Sequence, residues 1–225
     1  MTTAGVKGTI ALPEALALAL AVTVASHAVP NALAPMIVEA RPGLVSAIGY
    51  GNLHDLVMLA YGLVLALSAP RASGMVWARP TARVVFVAAL PVVITALVYP
   101  RLPVRPFAGQ RVGMWLISPF AQSAIFVGYL YGLFARAPGG AGEGESGEQA
   151  RASWRPTRAL VLTGVFFALW HAPNLASMPA GYVAFQFVYT FAAMLWTGLT
   201  RQWTGAVWYA LAAHVCGNAI AWATS

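Results

Sequence analysis

Charge is what this sequence lacks. Only 8% of its 225 residues are Asp, Glu, Lys or Arg, and only six of them are acidic. Soluble globular domains carry about 25% charged residues. With so few, the chain cannot cover a water-facing surface, which excludes a soluble enzyme or binding module. Cysteine is nearly absent too: Cys216 stands alone and excludes an internal disulfide. No internal repeat is visible, and no H-E-x-x-H metal motif occurs.

What is present is apolar. Hydrophobic residues make up 60% of the chain, and the excess must face lipid. The apolar runs predict an all-α, polytopic transmembrane helical bundle of about seven spans, at about 10–29, 53–69, 84–99, 113–135, 159–175, 181–200 and 204–223. Pro30, Pro35 and Pro42 are expected to break the segment after the first span, and Pro91 to kink the third. Lys7 and the apolar run after it resemble a signal sequence, but no small-residue cleavage site follows, so the run reads as a retained first span. Residues 1–225 read as a single membrane-embedded domain. Within it, 137–156 is Gly/Glu-rich and is expected to be a flexible loop.

The formal net charge of +7 does not point to nucleic acid. The basic residues are nearly all Arg in short loops, where they set topology and meet lipid headgroups. Alternating loops place nine on one side: Lys7, Arg71, Arg79, Arg83, Arg136, Arg151, Arg155, Arg158 and Arg201. Arg41, Arg101, Arg105 and Arg111 fall on the other. The positive-inside rule then makes the N-terminus cytoplasmic and the C-terminus external. The Ala-, Gly- and Arg-rich composition points to a bacterial inner membrane.

Polar groups inside the apolar runs mark function, because they are costly at membrane depth. His214 and Asn218 are four apart and share a helix face. His171 and Asn174, three apart in another span, repeat the pattern. Interhelical hydrogen bonding accounts for one such pair. Two pairs, facing the polar run from Ser118 through Gln122 and Ser123, favour a shared site. Cys216, two residues after His214, points elsewhere and reads as a small buried apolar side chain. A zinc site would need a third ligand from Glu39, His54 or Asp55, and none has motif spacing. His54 and Asp55 read as a pair at the end of a span, and Glu39 with Arg41 as an interfacial or re-entrant feature. No motif identifies a cofactor or an oligomeric state.

These residues resemble the CPBP (CAAX protease and bacteriocin-processing, or Abi) intramembrane proteases over a core of about 113–223. That family has a Glu-Glu-x-x-x-Arg motif, then Phe-x-x-x-His, then His-x-x-x-Asn or Asp. The second appears as Phe167-Ala-Leu-Trp-His171-Ala-Pro-Asn174 and the third as His214-Val-Cys-Gly-Asn218. The first keeps its frame: Ser118-Pro119 leads in, and Phe126 and Gly128-Tyr129-Leu130 follow. Its charges are gone, with Gln122 and Ser123 in place of the glutamates and Val127 in place of the arginine.

The resemblance implies a membrane-associated peptide or protein as partner, with Gln122, Ser123, His171, His214 and Asn218 at the site. In the family a glutamate activates water, while the histidines and Asn orient groups and stabilise the oxyanion. Gln122 cannot take a proton near neutral pH. The favoured expectation is therefore a non-cleaving, pseudoprotease- or immunity-like binder of a membrane or lipidated peptide. An active intramembrane endopeptidase with an altered catalytic group is the first alternative, using a histidine base, a Ser123 nucleophile, or a relocated Glu39 or Asp55. A transporter-like bundle is the second.

Overall fold

The structure is a computed structural model and describes residues 9–101, 113–140 and 153–224. All the regular secondary structure among these residues is helical, without a strand. The helices are α1 (Leu12–Ala40), α2 (Pro42–Ile48), α3 (Tyr50–Ser68), α4 (Ala82–Val98), α5 (Gly113–Ala135), α6 (Arg158–Leu169), α7 (Ala180–Thr204) and α8 (Trp208–Ala223). A 3-10 turn, Ala172–Ala176, extends α6.

Six segments are long and apolar enough to cross a membrane: α1, α3, α4, α5, α6 with its turn, and α7. With the shorter α8, of 16 residues, this is the all-α polytopic bundle expected from the apolar runs.

The proline breaks are not where composition suggested. α1 runs unbroken through Pro30 and Pro35 to Ala40. Within a bundle, neighbouring helices and hydroxyl groups satisfy the carbonyls that a proline frees. Pro42 does act as a boundary, opening the short α2, which has no buried residue.

α5 is the central helix. In its most apolar window 72% is buried, against 17–44% in the other five spans. α3 packs against it, and α6 and α8 pack along it too. Its Ile125, Phe126, Leu130 and Phe134 are fully enclosed. Close approach of α3 depends on Gly62, where a Cβ would lie 3.0 Å from the Ala121 carbonyl and 3.1 Å from Ile125. Small residues of this kind let membrane helices approach closely. α5 is π-helical over Gly113–Ile117 and Ser123–Leu130. Such wide turns are frequent at functional sites.

Residues 141–152 of the expected flexible loop lie outside the described residues. The chain on either side of them is packed. Ala137 is buried, and Ala159 donates its N–H to Gly140 O at 3.2 Å. Trp154 lies against Trp203, with ring centroids 4.7 Å apart, and Trp203 Nε1 donates to Ser153 O at 2.7 Å. Thr157 then caps α6, accepting from Leu160 N.

Candidate functional site in the bundle core

Three segments meet here, and each brings its polar group for a local reason. α8 is a continuous helix, so His214 and Asn218 do share a face one turn apart. On α5, Ser123 opens the longer π-helical stretch. The Ser123 hydroxyl lies 3.3 Å from His214 Nδ1, and Ser123 is only 1% exposed.

His171 follows the end of α6 and is buried. Its Nδ1 lies 2.9 Å from the Phe167 carbonyl. A carbonyl only accepts, so Nδ1 carries the proton, and the neutral ring presents Nε2 as a bare acceptor. Phe167 stands edge-on to both imidazoles, at 5.2 Å from His171 and 5.9 Å from His214. Phe126 of α5 backs it at 5.2 Å. The two histidines thus flank one aromatic ring in the bundle core.

Gln122 is buried and donates its amide Nε2–H to Ser118 Oγ at 2.8 Å. The neutral amide is held within its own helix. Asn218 is partly buried and makes no side-chain hydrogen bond among the described residues. Asn174 is not part of this group. It donates to Gln186 Oε1 of α7 at 2.8 Å, because the helix has become a 3-10 turn before reaching it.

No described carboxylate stands at the imidazoles. Glu14 and Glu39 are exposed on α1. Asp55 is buried, but it sits in the first turns of α3 against Gly113, where an added Cβ would overlap its Oδ2. Gly113 precedes Ser123 by ten residues along α5, roughly 12–15 Å of helix. Asp55 pairs instead with His54 Nδ1 at 3.7 Å, and His54 Nε2 meets Asn31 Oδ1 at 3.1 Å. Among the described residues no three His, Cys, Asp or Glu side chains group to hold a metal.

Two further findings differ from the sequence reading. Cys216 is exposed rather than buried, since it faces away from the side of α8 that carries His214. Arg201 is no loop residue. It is buried in the last turn of α7, where its guanidinium donates to the carbonyls of Ala72 at 2.5 Å, Val127 at 3.4 Å, and Gly205. It also lies over the Tyr131 ring at 5.1 Å. Gly74, with a φ of +71°, is required beside it, because a Cβ there would overlap the guanidinium. A cation therefore does reach position 127, delivered by another helix to the backbone. No motif spacing foretold this.

Sequence reasoning also passed over His27 and Ser26 of α1. His27 Nε2 lies 2.8 Å from the Trp170 carbonyl, and Trp170 Nε1 donates to Ser26 Oγ at 2.8 Å. An imidazole at membrane depth was the available signal, but it lay in no motif.

An integral membrane bundle with two core imidazoles on neighbouring segments either side of one phenylalanine ring, one of them against a serine of the central helix, is the class that this fold and site define. Residues 105–220, just over half of the chain, match the family described as type II CAAX prenyl endopeptidase Rce1-like, and the chain belongs to that family. No curated protein and no solved structure gave a significant match.

Proposed function

We propose that this chain binds a membrane-associated or lipidated peptide without cleaving it by the family's glutamate-activated water. The observation that carries this reading is Gln122, whose neutral amide occupies the glutamate position and donates to Ser118. General-base work needs a group that takes a proton near the working pH, and neither Asp55 nor Glu39 reaches the imidazoles.

What remains suits binding. His171 offers an acceptor nitrogen, and Ser123, His214 and Asn218 offer further donors and acceptors. A peptide segment unwound within the membrane has backbone groups that water cannot satisfy there. Neutral polar partners in a bundle core match that need without burying a charge. The excess of basic residues in one set of loops supports a cytoplasmic N-terminus, and the composition supports a bacterial inner membrane.

The test is incubation of purified protein in lipid nanodiscs with photoreactive membrane peptides, with and without a prenyl group. Capture without cleavage is expected by crosslinking and mass spectrometry. Cleavage by the unaltered protein that survives Ser123→Ala would overturn the reading. The restoring variant Gln122→Glu/Ser123→Glu/Val127→Arg is expected to gain cleavage, since a general base contributes about 10²–10⁴-fold.

A second reading rests on the 3.3 Å contact between Ser123 and His214. A serine beside an imidazole can pass its proton to the ring while its oxygen bonds an acyl carbon. Labelling by a fluorophosphonate that is lost in Ser123→Ala and in His214→Ala would establish this route. Absence of labelling would leave the binder.

A further inference from the structure

We infer that the site extends onto α1, outside the family-matched residues, and that His27 is a positioning residue for His171.

The reasoning begins with Pro173. Lacking an N–H, it cannot continue the α6 ladder, and the chain tightens into a 3-10 turn. Asn174 N then donates to His171 O at 3.0 Å. In a continuing α-helix that N–H would serve Trp170 O. The switch therefore frees the Trp170 carbonyl at membrane depth, where no water substitutes for the lost donor.

α1 supplies the replacement. The carbonyl can only accept, so His27 carries its proton on Nε2 and donates at 2.8 Å. The same ring stacks on the Trp170 indole, with centroids 4.6 Å apart and planes 16° from parallel. Ser26 grips the other end of the indole. Its hydroxyl donates to Thr23 O at 2.7 Å, leaving lone pairs for Trp170 Nε1–H at 2.8 Å.

Trp170 is thus held by its carbonyl, its ring face and its N–H, all from two adjacent residues. Its ring lies edge-on to His171 at 5.1 Å and 87°. With the residue before it immobilised, His171 keeps Nδ1 on Phe167 O and turns Nε2 outward as an acceptor. Were His27 unable to donate, the Trp170 carbonyl would seek another donor, and the turn carrying His171 would shift.

The inference concerns the site proposed above to bind a peptide, but its test uses no ligand, so the two fail separately. ¹⁵N-histidine-labelled full-length protein in nanodiscs reports which ring nitrogen of each histidine carries the proton. The unaltered protein is expected to show His171 as one tautomer, with Nδ1–H. His27→Phe keeps a ring on Trp170 but removes the donor. It is expected to lose the single His171 signal for a mixture, while the His214 signal and the melting temperature hold. His27→Gln restores a donor and is expected to restore the single tautomer.

An unchanged His171 signal in His27→Phe overturns the inference. So does His27→Gln behaving like His27→Phe, or a His214 signal that changes along with that of His171 in a protein that still folds, which would mark a general structural role. Should His27→Phe fail to fold, Ser26→Ala takes its place, releasing only the indole N–H. A partial loss of the single His171 tautomer supports the inference there, and no change overturns it.

Discussion

His171–Asn174 and His214–Asn218 look alike as strings, an imidazole with a carboxamide about one turn on, yet the structure uses them differently. In the second pair the helix continues, so both side chains share a face and His214 meets Ser123 of α5. In the first the helix gives way to a 3-10 turn at Ala172–Ala176. Asn174 swings to Gln186 of α7, and His171 is held by its own helix and by α1 through Trp170. Periodicity places side chains only while the backbone keeps its period. One proline converts an apparent repeat into two unlike half-sites, one joined to the central helix and the other to the first.

The strongest way to break this contrast is Pro173→Ala. It returns an N–H to the turn and lets α6 continue, so Asn174 N competes with His27 for the Trp170 carbonyl. Loss of the Asn174–Gln186 bond and of the His171 orientation is expected. Peptide capture should fall about tenfold, to the level of His171→Ala, as read by crosslinking yield against peptide concentration.

Next come the imidazoles themselves. His171→Ala and His214→Ala are each expected to weaken capture by about tenfold, the worth of a typical net hydrogen bond. Only His214→Ala should also loosen α5 from α8, seen as faster amide exchange on the flanks of α5.

Smaller, and sharper, is the split between the carboxamides. Asn174→Ala removes an interhelical hydrogen bond worth about 0.6 kcal/mol, and up to roughly 1.7. It should lower unfolding stability while leaving capture intact. Asn218→Ala should do the reverse, since Asn218 makes no side-chain bond among the described residues. Equal effects of the two on both readouts would erase the distinction between the half-sites. The smallest effect belongs to Cys216→Ala. The exposed thiol faces away from His214, so neither stability nor capture should change.

Much of this was legible beforehand, for identifiable reasons. The spans followed from apolar runs, because lipid imposes a length and a composition on every crossing helix. The order and spacing of Phe167, His171, His214 and Asn218 marked the family, and the loss of charge at 122, 123 and 127 marked its departure. The unbroken passage of α1 through Pro30 and Pro35 was not legible, because a packed membrane bundle tolerates prolines that local propensity reads as breaks. Nor was Arg201. A basic residue after an apolar run reads as loop, and its burial depends on carbonyls from Ala72, Val127 and Gly205, which only folding assembles.

The sequence by itself determined that the chain lives in a membrane, is helical, carries motif imidazoles at depth at His171 and His214 and has no glutamate where its family keeps one. Each of these is a property of residue type and near-neighbour spacing. The tertiary structure alone decided that Ser123 faces His214, that Asn174 leaves the site, that Asp55 of α3 packs against Gly113 rather than at the imidazoles and that α1 holds Trp170. Those outcomes depend on contacts between residues up to 144 positions apart. Such contacts follow from helix packing and from which backbone carbonyls are left without donors, and no local pattern carries that information.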